Sequence, residues 1–425
     1  MTLDRVTLDR ARLVALADYL AAAVVISLPW STSATSILVP LWAVAAALTL
    51  DSAALRRGAA TPAAALPVAL VALAVAGMLW SDAIWPERLS GLTSFLKLLV
   101  IPLLFVQFSR SDRSEMVFTA FFTSCCVLLA VSWLLVLFPP IPWPVQMPGV
   151  PVKDYIIQSG EFALCSFVLL DRAIPAWGKE RAKSALLAGL AVIFLGNIVF
   201  VALGRTSVVV IIALFGLLGL RYFQRRALVA FLAAGVAIAA VAWTASPYMR
   251  SRVTHLAEEL DGSHIDSSDS SAGLRVGFWK MSAKAIGEAP LIGHGTGSIQ
   301  GVFARIASAD QTAPAGATNP HNQIFAIAIM LGLPGVVLLL AMWAAHVRMV
   351  LLPGPTAWIG LSVVVQNIVG SLFNSHLFDF SQGWLYVFGL GIAGGVMLRK
   401  PAGERMPNND EPAALPALQV VGAAE

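Results

Sequence analysis

Three basic side chains stand beside polar or glycine-containing motifs at the ends of long apolar runs. They are Arg205 in "LGRTS", Arg275 in "LRVGFWK" and His321 in "TNPHNQIF". A guanidinium group is planar and presents a fork of donors that matches phosphate oxygens. An imidazole titrates near neutral pH and can accept a proton as a general base. These residue types together predict a site that binds an anionic group and moves a proton beside it.

His321 lies where a polar segment meets a long apolar run. Asn319 and Pro320 before it are typical of the cap and first turn of a helix, which predicts His321 in that first turn. The helix macrodipole disfavours an imidazolium there, so the ring is expected to be neutral. At 100° per residue, Gly332 and Gly335 lie within about 20° and about 40° of the histidine's direction, which predicts close helix packing beneath it. An interfacial histidine above a simple packing seam is the alternative.

Other polar side chains outside the apolar runs are weaker candidates. They could line a substrate cavity together with His321 or could only face solvent, and they are Asn322, Lys153, Tyr155, His294, His376 and Asp379. Downstream of Arg275, Gly293, Gly295 and Gly297 form a glycine-rich turn that could bring backbone N–H groups close to an anion. No Asp-x-Asp pair and no cysteine spacing supplies metal ligands, so neither a metal nor another cofactor is expected.

The composition limits the kind of element that can position these residues. The chain of 425 residues is 58% hydrophobic and 12% charged, with a mean hydropathy of +0.79, which excludes an ordinary soluble domain. Cys125, Cys126 and Cys165 all lie in apolar runs and are interpreted as small hydrophobic residues. The net charge of +4 is distributed over short loops, so nucleic acid is not an expected partner. The composition therefore predicts an all-α polytopic membrane protein surrounded by lipid.

Segments long enough to cross a bilayer recur along the chain. About twelve transmembrane helices are predicted, at residues 12–29, 36–51, 62–80, 89–108, 116–138, 155–171, 185–203, 206–220, 227–246, 321–345, 356–372 and 383–398. The region 185–220 is apolar throughout except for "LGRTS", and we interpret it as two helices that meet at Gly204 and Arg205. Lys97 is the one charge that we place clearly inside a span, where charges are costly and often functional.

Basic residues are distributed unevenly between the connecting loops. If the N-terminus is cytoplasmic, the loops on that side hold 18 of the 28 Lys and Arg residues, as the positive-inside rule expects. We therefore predict cytoplasmic N- and C-termini, transmembrane helices 1–9 in residues 1–246, a periplasmic loop with amphipathic helices at 247–320, transmembrane helices 10–12 in residues 321–400 and a disordered cytoplasmic tail at 401–425. In the loop, "RSRVTHLAEEL" and "LRVGFWKMSAKAI" have helical apolar spacing, with Val276, Trp279, Ala283 and Ile286 on one face of the second.

The stretch "HNQIFAIAIMLGLPG" at residues 321–335 resembles the signature of bacterial O-antigen ligases. That signature is His followed by Asn, Ser or Gln, then nine residues, then Gly-x-x-Gly or a close variant. The "GRTS" at Arg205 and the "LRVGFW…APLIGHGTG" at Arg275 are similar to arginine-bearing blocks that these ligases share with O-antigen polymerases. The resemblance covers about residues 200–345 and fits a helix bundle with one large outer loop.

The resemblance implies a lipid A–core:surface polymer ligase of the O-antigen ligase and polymerase superfamily. Such an enzyme is a glycosyltransferase of the C type in the bacterial inner membrane, acts in lipopolysaccharide biosynthesis, and has a site that opens to the periplasm. It transfers O-antigen glycan from undecaprenyl diphosphate to a sugar hydroxyl of lipid A–core by a metal-independent, inverting displacement. On this chain, Arg205 and Arg275 would bind the diphosphate and His321 would accept the proton of the attacking hydroxyl.

Two other functions compete with the ligase. An O-antigen polymerase would perform the same chemistry on a glycan acceptor, and the full histidine-to-glycine signature favours the ligase over it. A transporter of lipid-linked oligosaccharide would only bind the anion, and the single large one-sided loop without an internal repeat argues against it. The role of His321 is also open, because it could orient a substrate instead of accepting a proton. Neither the donor glycan, the acceptor hydroxyl nor the oligomeric state follows from the sequence.

Overall fold

The computed structural model describes residues 10–50, 60–139, 141, 143, 147–247, 250–251, 271–309, 316–351 and 354–399. Within these residues the regular structure is helical and contains no β-strand. The predicted helix over "RSRVTHLAEEL" and the predicted disordered tail at 401–425 fall outside the described residues, apart from the first two residues of the former. The all-α fold class is confirmed.

Each of the twelve predicted spans overlaps an observed helix. The helices are α1 (Arg10–Ser27), α2 (Thr32–Leu48), α3 (Pro62–Gly77), α4 (Trp85–Leu96), α5 (Val100–Phe108), α6 (Ser114–Leu137), α7 (Tyr155–Ala176), α8 (Arg181–Phe200), α9 (Arg205–Tyr222), α10 (Arg225–Ala245), α11 (Ser271–Glu288), α12 (Ile299–Ala309), α13 (Gln323–Val350), α14 (Pro355–Ser371) and α15 (Phe380–Met397). A 3₁₀ turn at Lys97–Leu99 joins α4 to α5, and the two together form the predicted span 89–108. Among the described residues, five segments are long and apolar enough to cross a membrane, and three shorter helices are also apolar.

The helices pack into a bundle in which sequence neighbours are mostly spatial neighbours. Helix α1 packs against α2 and α6, and α7 packs against α8. Long-range pairs close the bundle, because α15 packs against α5, α13 packs against α3, and α9 packs against both α7 and α14. The bundle core is filled by large side chains at edge-to-face geometry, such as Trp42 with Phe388 at 5.4 Å between ring centroids. The chain is thus a polytopic helical membrane protein.

The interior of the bundle contains more charge than the sequence analysis placed there. Asp18 in α1 is fully buried and accepts hydrogen bonds from Gln107 Nε2 at 2.8 Å and Ser111 Oγ at 2.7 Å. Glu161 in α7 is also buried. The prediction that Lys97 is the one charge clearly inside a span was therefore wrong. Single carboxylates were hidden because long apolar stretches on both sides outweigh one acidic residue in a hydropathy average.

The end of the bundle that we predict to be cytoplasmic is rich in ion pairs. Arg399 binds Asp112 at 2.6 Å, and Arg221 binds Asp171 at 2.8 Å. Tyr222 also donates a hydrogen bond to the Asp171 carboxylate at 3.0 Å. Arg221 and Asp171 lie near the C-terminal ends of α9 and α7, whereas Arg399 and Asp112 lie just outside α15 and α6. The basic residues therefore gather at one end of the bundle, as the loop counts predicted, and the assignment of that end to the cytoplasm stays a prediction.

Helix α9 begins at Arg205, as the sequence predicted. Gly204 precedes it at the N-cap, where an added Cβ would lie 2.6 Å from Ser159 Oγ of α7. Ser159 Oγ and Ser207 Oγ are themselves hydrogen-bonded at 2.7 Å. Glycine at position 204 thus lets the first turn of α9 contact the first turn of α7. This contact holds the start of α9, and with it Arg205, beside the residues that precede α7.

Helix α11 is present where the loop pattern predicted it, but its buried face is different. We expected Val276, Trp279, Ala283 and Ile286 to form that face, whereas Val276 is 45% exposed. The buried positions belong to a cluster that α11 forms with α12 and α13, namely Met281, Ala285, Val302, Phe303, Ile306, Ala317 and Ile329. Helix α12 was not predicted. Its three buried apolar positions, Val302, Phe303 and Ile306, have helical spacing that the sequence analysis missed.

Helix α13 is interrupted at Gly332, whose φ of 60° and ψ of −156° are not helical. The prediction that Gly332 and Gly335 share one helical face with His321 is therefore wrong. A Cβ at Gly332 would lie 2.7 Å from Gly293 N of the glycine-rich turn, and a Cβ at Gly335 would meet Leu331 Cβ of the same helix. Both glycines serve the interruption of α13 and its contact with that turn instead of close packing by a second helix.

The glycine-rich turn fills the interruption through backbone hydrogen bonds. His294 N donates to Ile329 O at 2.7 Å, Gly295 N donates to Met330 O at 2.9 Å, and Leu333 N donates to Pro290 O at 3.0 Å. These N–H groups are occupied by protein carbonyls, which corrects the prediction that the turn presents them to an anion. The turn instead ties the end of α11 to the middle of α13.

We predict that replacing Gly295 with Ala strongly destabilises the fold. Gly295 has a φ of +88°, and an added Cβ would lie 2.7 Å from the backbone nitrogen of Ser81. The backbone strain alone costs about 1–3 kcal/mol. Thermal unfolding of the purified protein in detergent measures the effect. Gly301→Ala in α12 is the matched control, because a Cβ there meets no atom within 4 Å. Equal unfolding midpoints for the two variants would contradict the prediction.

Candidate active site

His321 lies just before α13 and not in its first turn. Asn322 is the N-cap, and its side-chain oxygen accepts hydrogen bonds from Ile324 N at 2.9 Å and Phe325 N at 3.1 Å. His321 itself has a φ of +51°, a left-handed conformation that non-glycine residues rarely adopt. Its backbone N–H donates to Asn319 Oδ1 at 2.9 Å. The predicted cap was therefore wrong by three residues, and the histidine occupies a strained position at the mouth of the helix.

The imidazole of His321 packs against α11. Its ring stacks on Phe278 with 5.6 Å between centroids and 22° between planes. Arg275 lies one helical turn before Phe278, and its charge acts on the same imidazole. Burial lowers the pKa of His321, the nearby Arg275 lowers it further, and a hydrogen bond with Asn374 opposes the shift. The lowered pKa favours the neutral ring that the sequence analysis expected, but its causes are burial and a cation, not a position in the first turn of α13.

A chain of hydrogen bonds connects His321 to the loop that precedes α15. Asn374 Oδ1 lies 3.0 Å from His321 Nδ1, and Asn374 Nδ2 donates to Asp379 Oδ2 at 3.0 Å. Burial raises the pKa of the Asp379 carboxyl to about 6, while the nearby Lys97 ammonium opposes this shift. Asp379 was singled out in the sequence as a cavity residue, whereas Asn374 was not. The two lie in the same "FNSHLFDF" stretch, where an asparagine is an ordinary loop residue by pattern.

The loop carrying Asn374 and Asp379 is held from two sides. Lys97 Nζ donates to the carbonyl oxygens of Phe378 at 3.0 Å and Asp379 at 2.9 Å. From the side, Gln323 Oε1 accepts from Leu377 N at 3.1 Å and Phe378 N at 3.3 Å. Lys97 was predicted only as a charge inside a span. Its position in the 3₁₀ turn between α4 and α5 lets its ammonium bind backbone carbonyls instead of facing lipid.

A cavity of about 350 Å³ opens next to this loop. Its lining combines apolar side chains with hydroxyl, amide and carboxylate groups, and it consists of Glu87, Ser90, Gly91, Ser94, Gly297, Ile299, Gln300, Thr318, Asn319, Pro320, Ala326, Met330, Ser375, Phe378 and Asp379. The charged members of this lining, Glu87 and Asp379, are both acidic. Thr318, Asn319 and Pro320 belong to the segment that leads to His321. The cavity therefore borders the histidine and lacks a basic side chain among its described lining.

Lys153 and Tyr155 lie at the start of α7, close to the same loop. Lys153 has a φ of +54°, and its Nζ donates to Ser381 Oγ at 2.8 Å and to the carbonyl of Leu28. Burial lowers the pKa of Lys153, and the nearby Glu161 opposes that shift. Tyr155 is the first residue of α7 and is half-buried. Neither side chain lines the described cavity.

Arg205 occupies the first turn of the neighbouring helix α9. That turn packs against α7 close to Ile156 and Ser159, so Arg205 is at the same end of the bundle as Lys153. The guanidinium group is half-buried and stands at a helix N-terminus, where the free N–H groups and the macrodipole also favour an anion. The structure thus groups Arg275 with His321 directly, whereas Arg205 lies on α9, which packs against α7 and α14.

Two further histidines were named from the sequence. His294 is hydrogen-bonded to the protein backbone, and His376 is buried. His294 Nε2 hydrogen-bonds the carbonyl of Ala285 at 2.8 Å, which holds the glycine-rich turn against α11. His376 is buried with both ring nitrogens lacking a hydrogen-bond partner among the described residues, and it presses against Gly370. Burial lowers the pKa of His376 to about 4. Neither imidazole lines the cavity, and their role as substrate-cavity residues stays a prediction.

The described residues contain no group of three or more His, Cys, Asp or Glu placed to hold a metal ion. Cys125, Cys126 and Cys165 are free thiols in the helices, in agreement with their interpretation as small hydrophobic residues. The chemistry that the described side chains can perform is proton transfer at His321 and charge stabilisation by the guanidinium of Arg275.

A comparison with protein families matches the part of the chain that carries the candidate site residues. Residues 190–340 match a protein-family model described as O-Antigen ligase, and no curated protein matches the chain. The matched region is just over a third of the chain and includes Arg205, Arg275 and His321. Asn374 and Asp379 lie beyond it. The match agrees with the motifs that the sequence presents at these positions.

We predict that Gln323→Leu destabilises the loop that carries Asp379. The substitution leaves the buried N–H group of Leu377 without its acceptor, which costs about 1–3 kcal/mol, whereas Phe378 N keeps a hydrogen bond to Ser375 O at 2.9 Å. The unfolding midpoint in detergent should fall, and amide hydrogen exchange should accelerate at Leu377. Gln300→Leu, at an exposed position in α12, is the control for loss of a glutamine amide. An equal effect in both variants would contradict the prediction.

Proposed function

We propose that the chain is an O-antigen ligase, and the match of residues 190–340 to the O-antigen ligase family supports this proposal. The enzyme works in the bacterial inner membrane with its site open to the periplasm. Its donor is O-antigen glycan on undecaprenyl diphosphate, and its acceptor is a sugar hydroxyl of lipid A–core. The fold is that of a C-type glycosyltransferase, surrounded by membrane lipid.

One observation carries this proposal. The helix that bears Arg275 stacks its Phe278 on the ring of His321, so a guanidinium group and a neutral imidazole share one site. A lipid diphosphate leaves readily once its developing negative charge is stabilised, and a guanidinium fork supplies this stabilisation. The neutral imidazole supplies the base that the attacking hydroxyl requires.

The reaction follows from these roles. The acceptor hydroxyl oxygen attacks the anomeric carbon of the donor glycan, and its proton passes to a ring nitrogen of His321. The bond between the anomeric carbon and the diphosphate oxygen breaks, and undecaprenyl diphosphate leaves with the bonding electron pair. Arg275 and Arg205 bind the diphosphate as its charge grows. Attack from the face opposite the leaving group inverts the anomeric configuration, and no metal takes part.

The cavity beside His321 suits the acceptor. Its hydroxyl, amide and carboxylate lining can hydrogen-bond the hydroxyl groups of a sugar, and its acidic residues Glu87 and Asp379 repel a diphosphate. We therefore assign the acceptor sugar to the cavity and the diphosphate to the side of Arg275 and Arg205. This division brings the two substrates to His321 from different directions.

We predict that the purified protein joins lipid-linked O-antigen to lipid A–core in excess EDTA. His321→Ala should lower kcat by about 10²–10⁴-fold, because a general base is lost. Arg275→Ala and Arg205→Ala should each lower kcat by about 10²–10³-fold, because charge on the leaving group is no longer stabilised. Gel analysis of laddered lipopolysaccharide measures the product.

The controls for this assay separate the alternatives. Lys280→Ala removes an exposed cation from the helix of Arg275 and should retain activity. Longer lipid-linked glycan without attachment to lipid A–core would mean a polymerase. Loss of product in EDTA that added metal restores would refute metal independence. Absence of any product from the wild-type chain would contradict the ligase and favour the transporter.

We predict a pH–rate profile whose acid limb lies below the ordinary imidazole pKa of 6.5, because burial and Arg275 lower the pKa of His321. The base form is lost as pH falls through the lowered pKa of His321, so kcat/KM should rise with pH and then level off. Arg275→Gln removes the cation and should shift the acid limb to higher pH, whereas Lys280→Gln should not. Persistence of the same acid limb in His321→Ala would show that another group is the base.

A further inference from the structure

Asn374 connects the imidazole of His321 to the carboxylate of Asp379. Its Oδ1 lies 3.0 Å from His321 Nδ1, and its Nδ2 lies 3.0 Å from Asp379 Oδ2. A carboxylate can only accept hydrogen bonds, so the amide NH₂ must face Asp379 and the amide oxygen must face His321. An amide oxygen also only accepts, so His321 Nδ1 carries a proton. In a neutral imidazole this leaves the lone pair on Nε2.

The position of Asn374 is itself fixed by the fold. Its backbone N–H donates to Gly370 O at 2.9 Å, which ties it to the end of α14. Lys97 binds the carbonyl of Asp379, so the carboxylate side of the pair is held by a different helix. Phe278 stacks on the imidazole and sets the plane of its ring. The contact with Phe278 sets the ring plane. The other two contacts hold the backbone of Asn374 and Asp379, and none of the three requires a substrate.

We propose that Asn374 is a positioning residue that holds His321 in the tautomer with Nδ1 protonated and Nε2 free to accept a proton. The proposal rests on the proposed function, since it assigns the reacting nitrogen of the proposed base. It concerns a residue outside the 190–340 region that matches the O-antigen ligase family. Asp379 acts one step further away, because its charge orients the amide of Asn374.

The alternative orientation shows why this matters. If the amide turned over, its NH₂ would donate to His321 Nδ1, and the ring proton would move to Nε2. The reacting nitrogen would then carry a hydrogen and could not accept the hydroxyl proton. The charges around this hydrogen-bonded chain are Arg275 beside the imidazole, and Lys97 and Asp154 beside Asp379. Asp379 is hydrogen-bonded to the amide.

The test exchanges the two partners of the amide–carboxylate pair. Asn374→Leu should lower kcat by about 10²–10⁴-fold with a smaller change in KM, because the base role is impaired. Asp379→Asn should lower kcat less, because the amide at position 374 loses its fixed direction. The double variant Asn374→Asp with Asp379→Asn should recover at least about tenfold over Asn374→Leu. A carboxylate at position 374 accepts from His321 Nδ1 and from an amide at position 379, which restores the same tautomer.

Two readouts distinguish this role from a structural one. In the double variant the anion contacts the imidazole directly, so the acid limb of the pH–rate profile should move to higher pH than in the wild type. Nitrogen NMR of protein labelled at its six histidines, with His321→Ala for assignment, should show Nδ1 protonated in the wild type and a mixture of tautomers in Asn374→Leu. A purely structural residue would change neither the pH limb nor the tautomer.

The control for a lost buried amide is Asn367→Leu in α14. Asn367 is buried and its side chain has no hydrogen-bond partner among the described residues, so kcat should stay near the wild-type value. Wild-type kcat in Asn374→Leu, or no recovery in the double variant, would overturn the inference while leaving the ligase intact. An inactive wild-type chain would instead overturn the proposed function, and the NMR measurement would still decide the tautomer.

Discussion

The interruption of α13 is the constraint on which the site depends. In a membrane each backbone polar group needs an internal partner, and a broken helix leaves carbonyls free. Pro334 has no N–H to donate to Met330 O, and Leu333 N is turned toward Pro290, which frees Ile329 O. The backbone N–H groups of the glycine-rich turn occupy both carbonyls. This exchange attaches α11 and α12, which we predict to lie outside the membrane, to the middle of α13.

The attachment of α11 places its residues Arg275 and Phe278 beside His321, just before α13. The glycine-rich turn directly follows α11, so its position in the interruption fixes the end of that helix. Phe278 then meets the His321 ring, and Arg275 acts on the same imidazole. The lowered pKa of His321, the proposed base, therefore depends on burial and on a cation carried by α11. Breaking the backbone pairing at the interruption would separate these groups without altering any of them.

The candidate catalytic residues and the residues that position them come from different parts of the chain. Arg205, Arg275 and His321 lie in the region that matches the O-antigen ligase family, whereas Lys97, Asn374 and Asp379 do not. The ammonium of Lys97 binds two carbonyls of the loop that ends at Asp379, and this gives a function to a charge inside an apolar segment. Buried charge in this protein thus orients a loop, and the loop orients the candidate base.

The sequence by itself determined the all-α membrane class and the meeting of two helices at Gly204 and Arg205, and it identified Arg275 and His321 as candidate site residues. These follow from hydropathy, charge and residue chemistry, which are properties of local sequence. The tertiary structure alone decided that Asn322 caps α13, that the glycines of the turn contact backbone and not an anion, and that Asn374 bonds His321. Each depends on groups far apart in the chain. Hydrogen bonds to such partners have no period or local pattern, because the partner is chosen by how the helices pack.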